Sequence, residues 1–289
     1  AANYFNLRAI DSEIAILNEA LILRKKSLDL NKRRFEAGDL DEVDVARADT
    51  EVSATQSEIF GLRKTRAEFE NAIAVLAGSP SSDFKVNAAP LAASPPSVGG
   101  ALPSELLERR PDVAQAERLM QAENERIGVA KAAFFPTVRL NGSAGLESAS
   151  FNKLFRASSR TWGIGPEITV PIFEGGKNKA NLKRSRFRYE ETVADYRQTV
   201  LKAVREVDDS LAGVQLLAKQ YHAQQRTVVA ARRTVELSQK RFDSGLVAFF
   251  DVVDAQRTAF DAERAAARIL GARHISTISL IKAIGGSWK

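Results

Sequence analysis

Eight side chains hold one position of a seven-residue repeat along a single stretch: Val193, Val200, Val207, Val214, Tyr221, Val228, Val235 and Phe242. Seven residues fall short of two turns at 3.6 each. A helix that keeps such a row against a neighbour therefore supercoils left-handedly around it. From Lys177 to Phe242, 66 residues at ~1.5 Å each make a rod of roughly 100 Å. A monomeric globule has no use for such a rod.

The row has a copy 207 residues earlier. Leu7, Ile14, Leu21, Leu28 and Phe35 pair with Val214, Tyr221, Val228, Val235 and Phe242 at that offset. So do Arg34-Phe35-Glu36-Ala37-Gly38 with Arg241-Phe242-Asp243-Ser244-Gly245, Asp44-Val45 with Asp251-Val252, and Gly78 with Gly285. Arg66 and Arg273 interrupt the same row in both copies. An internal repeat of this kind means two equivalent structural units. Each ends its first helix at a glycine suited to positive φ, Gly38 or Gly245. A second helix follows at once, about 42–77 and 250–283, with smaller apolar rows: Val45, Val52, Ile59 and Ile73, then Val252, Ala259, Ala266 and Leu280. Two antiparallel coiled-coil hairpins result. Gly78–Pro103, rich in Pro, Ser, Ala and Gly, reads as an irregular connection between them.

Past Arg109-Arg110-Pro111-Asp112-Val113 the period is helical to Ala133, with Pro111 suited to a first helical position and Asp112 to the positive end of the dipole. Then it becomes two. Val138, Leu140, Ala144 and Leu146 alternate with Thr137, Arg139, Asn141, Ser143 and Glu147. In a second run Trp162, Ile164, Pro166, Ile168, Val170 and Ile172 alternate with Thr161, Gly163, Gly165, Glu167 and Thr169. Each run matches the ~9–11 residues of a tilted membrane strand. Phe134, Phe135 and Phe173 sit at one end and Trp162 at the other, as aromatic girdles would. Alternation alone is equally a soluble half-buried hairpin. A lone hairpin emerging from long helices, however, has nothing in this chain to cover its apolar face.

Composition narrows the classes. Lys and Arg total 42 against 36 acids, a formal +6. Acids and bases alternate along helical stretches (Glu190-Glu191, then Arg197, Lys202, Arg205, Glu206), which describes a solvated helical surface and no nucleic-acid site. There is no cysteine, hence no disulfide, thiolate metal site or lipid-anchor Cys in this stretch. The first residues lack the marks of a signal peptide, and no run approaches the ~18 apolar residues of a spanning helix. No catalytic set emerges. His222 and His274 are isolated on helices, Ser158-Ser159 lies in the loop between the strands, and Gly175-Gly176 lacks the spacing of a phosphate loop.

These residues together resemble the TolC-like outer membrane factor family, closest to the NodT-type lipoprotein branch that serves resistance-nodulation-division pumps. The carrying motifs are Arg109-Arg110-Pro111-Asp112-Val113, Ala132-Ala133-Phe134-Phe135-Pro136, Gly165-Pro166 through Val170-Pro171-Ile172-Phe173-Glu174-Gly175-Gly176, Asp254-Ala255-Gln256-Arg257 and Gly285-Gly286-Ser287-Trp288. The resemblance implies a mainly α protein with a small β part. Long antiparallel hairpins form a trimeric α-barrel, and each chain adds strands to a transmembrane β-barrel. It implies a homotrimeric outer-membrane channel, mostly periplasmic, that conducts passively and needs no cofactor or metal. Its partners are a periplasmic adaptor, an inner-membrane pump of the resistance-nodulation-division type, and outer-membrane lipid.

Residues 1–78 would be the first hairpin, 79–110 the belt, 111–133 a helix leading to the membrane, 134–173 the spanning hairpin, 174–284 the second hairpin and 285–289 a tail. Two strands, an initial helix and a leader are expected before residue 1. Phe250, Asp254 and Arg257 would form the periplasmic gate; taken alone, Asp254 and Arg257 are an exposed i,i+3 pair. Gly38, Asp39 and Leu40 with Gly245, Leu246 and Val247 would form the adaptor-binding rim, and exposed apolar Leu246 and Val247 suit a partner. Drug efflux, metal efflux and protein secretion all fit this class; one Met (Met120) and two His weigh against dedicated metal export. The competing reading is a soluble basic coiled-coil scaffold, which explains the heptads and the charge but neither the strand pair nor the repeat.

Overall fold

A computed structural model describes residues 1–91, 94–96, 98 and 110–286. Arg109, Pro103 and the terminal Ser287-Trp288 lie outside the described residues. The chain divides into two compact units, Ala1–Pro103 with Val204–Lys289, and Ser104–Ala203. The elements in order are α1 (Ala2–Glu36), α2 (Glu42–Leu76), α3 (Pro111–Ala132), β1 (Thr137–Leu146), β2 (Arg160–Thr169), α4 (Lys177–Asp243) and α5 (Phe249–Ala283). The fold is mainly helical with one small sheet, as the periodicities predict.

In the first unit α1 packs on both α2 and α5. The α4 row behaves as a seam: from Val207 to Phe242 every one of its six members is buried or half-buried. Val228 and Ala231 of α4 form a core with Ala259, Ala262 and Ala266 of α5, flanked by Tyr221 and Val235. Alanine on α5 lets the two helix backbones approach closely. α1 and α5 also approach closely, since a Cβ placed on Gly271 would lie 2.7 Å from the Ala9 Cβ. Ion pairs tie the hairpins together. Glu13, buried on α1, accepts from Arg268 at 2.8 Å and faces Arg264 at 3.7 Å, and Arg264 also reaches Glu58 of α2.

The two hairpin turns are copies in detail. Gly38 and Gly245 have φ of +81° and +70°. The Asp39 N–H donates to Arg34 O at 2.8 Å, and the Leu246 N–H donates to Arg241 O at 2.9 Å, at the same offset of 207. This six-to-one closure satisfies carbonyls that the ending helix leaves unpaired.

In the second unit Pro111 opens α3 and Asp112 lies in its first turn. The Arg110 guanidinium donates to Asp112 at 2.8 Å and holds its carboxyl below the ordinary carboxylate range. The Asn178 side chain donates to Ala133 O at 2.9 Å, joining the start of α4 to the end of α3. Strands β1 and β2 pair antiparallel from Thr137↔Thr169 to Leu146↔Arg160. The second strand is shorter than its alternation suggests, ending at Thr169 where the run continues to Ile172. Its partner begins at Thr137, so nothing remains to pair with beyond that point, and Pro171 has no N–H to donate. No described helix is long and apolar enough to cross a membrane, which says nothing of strands.

Candidate functional site: the bare strand pair and the hairpin tips

The register of β1 with β2 sorts the side chains by polarity. Val138 faces Ile168, Leu140 faces Pro166, Gly142 faces Ile164 and Ala144 faces Trp162, all on one side. On the other, Arg139 faces Glu167, Asn141 faces Gly165 and Ser143 faces Gly163. Asn141 donates to Glu167 at 2.8 Å across this polar side. The apolar side is uncovered: Leu140 keeps 72% of its surface and Ile168 66%. An isolated two-stranded hairpin is at best marginally stable in water, and an apolar patch this continuous marks an interaction surface. Phe134, Phe135 and Phe173, all exposed, cluster beyond the Thr137–Thr169 end. Trp162, also exposed, sits near the loop end.

At the tip of the second hairpin, Arg257 donates to Asp254 at 2.6 Å, with both side chains about half exposed. Phe250 lies one turn earlier and is also half exposed. Sequence reasoning passed over its partner: the Arg47 guanidinium sits 5.6 Å from the Phe250 ring centroid. Arg34 stands likewise 5.0 Å from the Phe242 ring, and Phe242 meets Phe249 at 5.5 Å. The signal that would have found this contact is the Arg-Phe dipeptide kept in both copies. Nearby, Lys240 and Arg233 grip Glu236 and lower its carboxyl to about 2.

The rim residues divide. Leu246 is 70% exposed, as expected, and Gly38, Asp39 and Gly245 are exposed too. Val247, expected exposed, is half-buried, as is Leu40. Val247 lines a groove between α4 and α5 with Arg241, Asp251 and Asp254.

Other polar residues have local roles. The Ser159 hydroxyl donates to Lys153 O at 2.7 Å within the strand loop. His274 is buried and stacks on Phe5 at 4.9 Å, and His222 lies edge-on to Tyr221. Gly175 and Gly176, both at positive φ, make the bend into α4. Among the described residues no group of three or more His, Cys, Asp or Glu is placed to hold a metal.

Residues 102–286 match the family of outer membrane efflux proteins. The chain belongs to that family. Cation efflux system protein CusC of Escherichia coli O6:H1 is 32% identical over 293 residues, spanning 100% of this chain and 63% of CusC. Solvent efflux pump outer membrane protein SrpC of Pseudomonas putida is 34% identical over 289 residues, covering 100% of this chain and 62% of SrpC. A crystal structure of CusC superposes with a TM-score of 0.86 at 30% identity, over 99% of this chain and 67% of that one. This efflux protein chain thus spans less than two thirds of the length of those two relatives. Family membership places it at the outer membrane, and its relatives are channel proteins. Their names differ in cargo, a cation in one case and solvents in the other.

Proposed function

We propose that this chain belongs to the outer-membrane channel subunit of a tripartite efflux system. Three copies form a cylinder of hairpins topped by a strand barrel. Substrates arrive from an inner-membrane pump of the resistance-nodulation-division type through a periplasmic adaptor, and pass outward without chemistry. The protein conducts and does not catalyse. The observation that carries this reading is the uncovered β1–β2 pair, apolar on one side and polar on the other. Lipid covers the first side, and the second, with Arg139, Asn141 and Glu167, borders water in a lumen.

In this reading residues 1–78 and 174–284 are the two hairpins of the cylinder, 79–110 its belt, 111–133 the helix toward the membrane, 134–173 the spanning pair and 285–289 the tail. Asp254, Arg257 and Phe250 close the periplasmic end. Gly38, Asp39 and Leu40 with Gly245, Leu246 and Val247 meet the adaptor. Support for the tip assignment is the 70% exposure of Leu246 at a tight turn.

The test uses the intact protein. It fractionates with outer membranes, leaves them only in detergent as a trimer, and gives discrete conductance steps in planar bilayers. A monomer recovered in the soluble fraction would overturn both barrel and channel.

A further inference from the structure

Acids and bases alternate along most of α4, but its first turns break the pattern. From Glu190 to Asp243 there are nine bases and eight acids. From Lys177 to Arg188 there are six bases, Lys177, Lys179, Lys183, Arg184, Arg186 and Arg188, and no acid. This short stretch carries as much positive charge as the net excess of the whole chain, +6. All six side chains are exposed. Lys177 stands 4.0 Å from Glu174, and among the described residues the other five form no ion pair. Glu123 of α3 lines the groove that Arg184 and Arg188 border, but Arg126 already holds it. Lys131, exposed in the last turn of α3, adds to the charge at this end.

Like charges gathered this densely repel one another, so the stretch gains from an anionic partner. The apolar surroundings say of what kind. Between the end of α3, the feet of the strands and Lys177 opens a cleft of about 830 Å³, with Val129, Phe135, Val170, Ile172 and Phe173 in its walls. Ile172 and Phe173 keep 94% and 90% of their surface. Val170 and Ile172 continue in sequence the alternation of Ile164 and Ile168, which belong to the apolar side of the strand pair. Val129 also lines the groove bordered by Arg184 and Arg188, so cleft and groove are continuous. A channel that is apolar at one end and cationic along the other fits an amphiphile with an anionic head. Depth agrees. The polar layer beside each face of a hydrocarbon core is ~5–8 Å thick, and α4 rises ~10 Å from Lys177 to Arg184. Arg188 follows within a Debye length of ~8–10 Å.

We propose that the groove between α3 and α4, from the feet of the strands to Arg188, binds an anionic phospholipid of the leaflet nearest the helices. Lys177, Arg184 and Arg188, at i, i+7 and i+11 along one edge of α4, receive the headgroup phosphate. An acyl chain lies along Val170, Ile172 and Phe173. Lys179, Lys183 and Arg186 raise the positive potential from the other flank. This rests on the membrane-spanning reading of β1 and β2, and adds to it a lipid class and the side chains that select it.

Native mass spectrometry of the intact protein, purified in a nonionic detergent and titrated with phosphatidylglycerol or phosphatidylcholine, tests this. The wild type is expected to hold phosphatidylglycerol on the order of tenfold more tightly. The triple variant Lys177→Gln, Arg184→Gln and Arg188→Gln is expected to lose that preference, and Lys177→Arg with Arg184→Lys and Arg188→Lys to keep it. Lys202→Gln with Lys219→Gln and Arg226→Gln, the same loss of charge farther along α4, is expected to keep it too. Preference retained in the first variant, or lost equally in the last, overturns the site. Inorganic phosphate that displaces phosphatidylglycerol at equal concentration would show an ion site without a lipid, and overturns it as well. Ile172→Ser with Phe173→Ser is expected to weaken both lipids alike; unchanged binding of both would remove the acyl chain from the cleft. Planar bilayers separate the two levels of failure. A wild type that gives conductance steps but shows no lipid preference overturns the lipid site and leaves the channel standing, and one that gives neither overturns both. A first variant that keeps the lipid preference and shifts anion permeability would put the groove on the lumen, and the proposal falls.

Discussion

Arg66 Nε lies 2.7 Å from Oδ1 of Asp11, and the same guanidinium donates to the backbone oxygen of Val86. Around this pair the segment after α2 is held through its backbone groups. Asp11 accepts the Ala89 N–H at 3.2 Å, Glu70 accepts the Val86 N–H, Arg8 donates to Asn87 O and the Ser12 hydroxyl accepts the Leu91 N–H at 3.1 Å. Asp11 is buried and also pairs with Arg8 at 3.0 Å, so removing Arg66 leaves its charge with one cation of two. Arg66→Met is expected to cost about 1.5–3 kcal/mol in denaturant unfolding. Hydrogen exchange is the sharper check: the Val86 and Ala89 amides lose protection in the variant, and the α4 amides do not. Unchanged exchange at both positions would mean that other contacts hold the strap.

The faces of the strand pair make a second prediction. Leu140→Arg or Ile168→Arg places charge on the apolar side and is expected to cost about 2–4 kcal/mol near a bilayer midplane. Asn141→Arg or Thr169→Arg, on the opposite side, is expected to be mild. Trimer yield from outer membranes measures both, and equal yields would contradict the assignment of faces.

A third prediction concerns Asp254 and Arg257. One exposed pair contributes at most about 1 kcal/mol. In the proposed trimer, three copies opening jointly would bias the aperture by up to a few kcal/mol. Replacing both residues with Ala in the intact protein is expected to raise single-channel conductance. The same double change at Glu190 and Arg197, away from the tip, is expected to leave conductance as it was. A tip variant that folds normally and conducts like wild type would move the gate elsewhere, with Phe250 next in line.

Gly271 gives a packing test. A methyl group there meets the Ala9 Cβ at 2.7 Å, so α1 and α5 must separate. Gly271→Ala is expected to destabilise by about 1–3 kcal/mol, although alanine is the better helix former. Gly61→Ala, on the exposed side of α2 with open space at its Cβ, is expected to stabilise slightly. A melting comparison of the two variants decides it.

Asp112 supplies a pH dependence. Its hydrogen bond from Arg110 lowers its carboxyl below the ordinary value of 3.8. A depressed folded value means that the stabilisation is complete above 3.8 and fades as pH falls through the lowered value. Asp112→Asn is expected to lose about 0.3–1 kcal/mol at neutral pH, with the gap to wild type closing in acid. Parallel pH profiles for the two proteins would show that Asp112 does not titrate against folding.

The period of seven along α4 was sufficient for the long helices, because any helix that buries such a row must keep it on one side. The shift to a period of two was sufficient for the strands, and the repeat offset for the paired hairpins and their glycine turns. These signals are local, since backbone geometry turns spacing directly into a face. What spacing leaves open is which faces meet. Arg66 and Arg273 look like the same flaw in two copies, yet one clasps the backbone at Val86 and the other covers the Tyr221 ring at 4.9 Å. The difference comes from their neighbours: the first copy places Asp11 and Glu70 beside its arginine, where the second has Ala218 and Thr277. The end of β2 at Thr169, the half-burial of Val247 and the seat of Arg47 on Phe250 are of the same kind. Each depends on what another segment brings within a few ångströms, and only the folded arrangement supplies that.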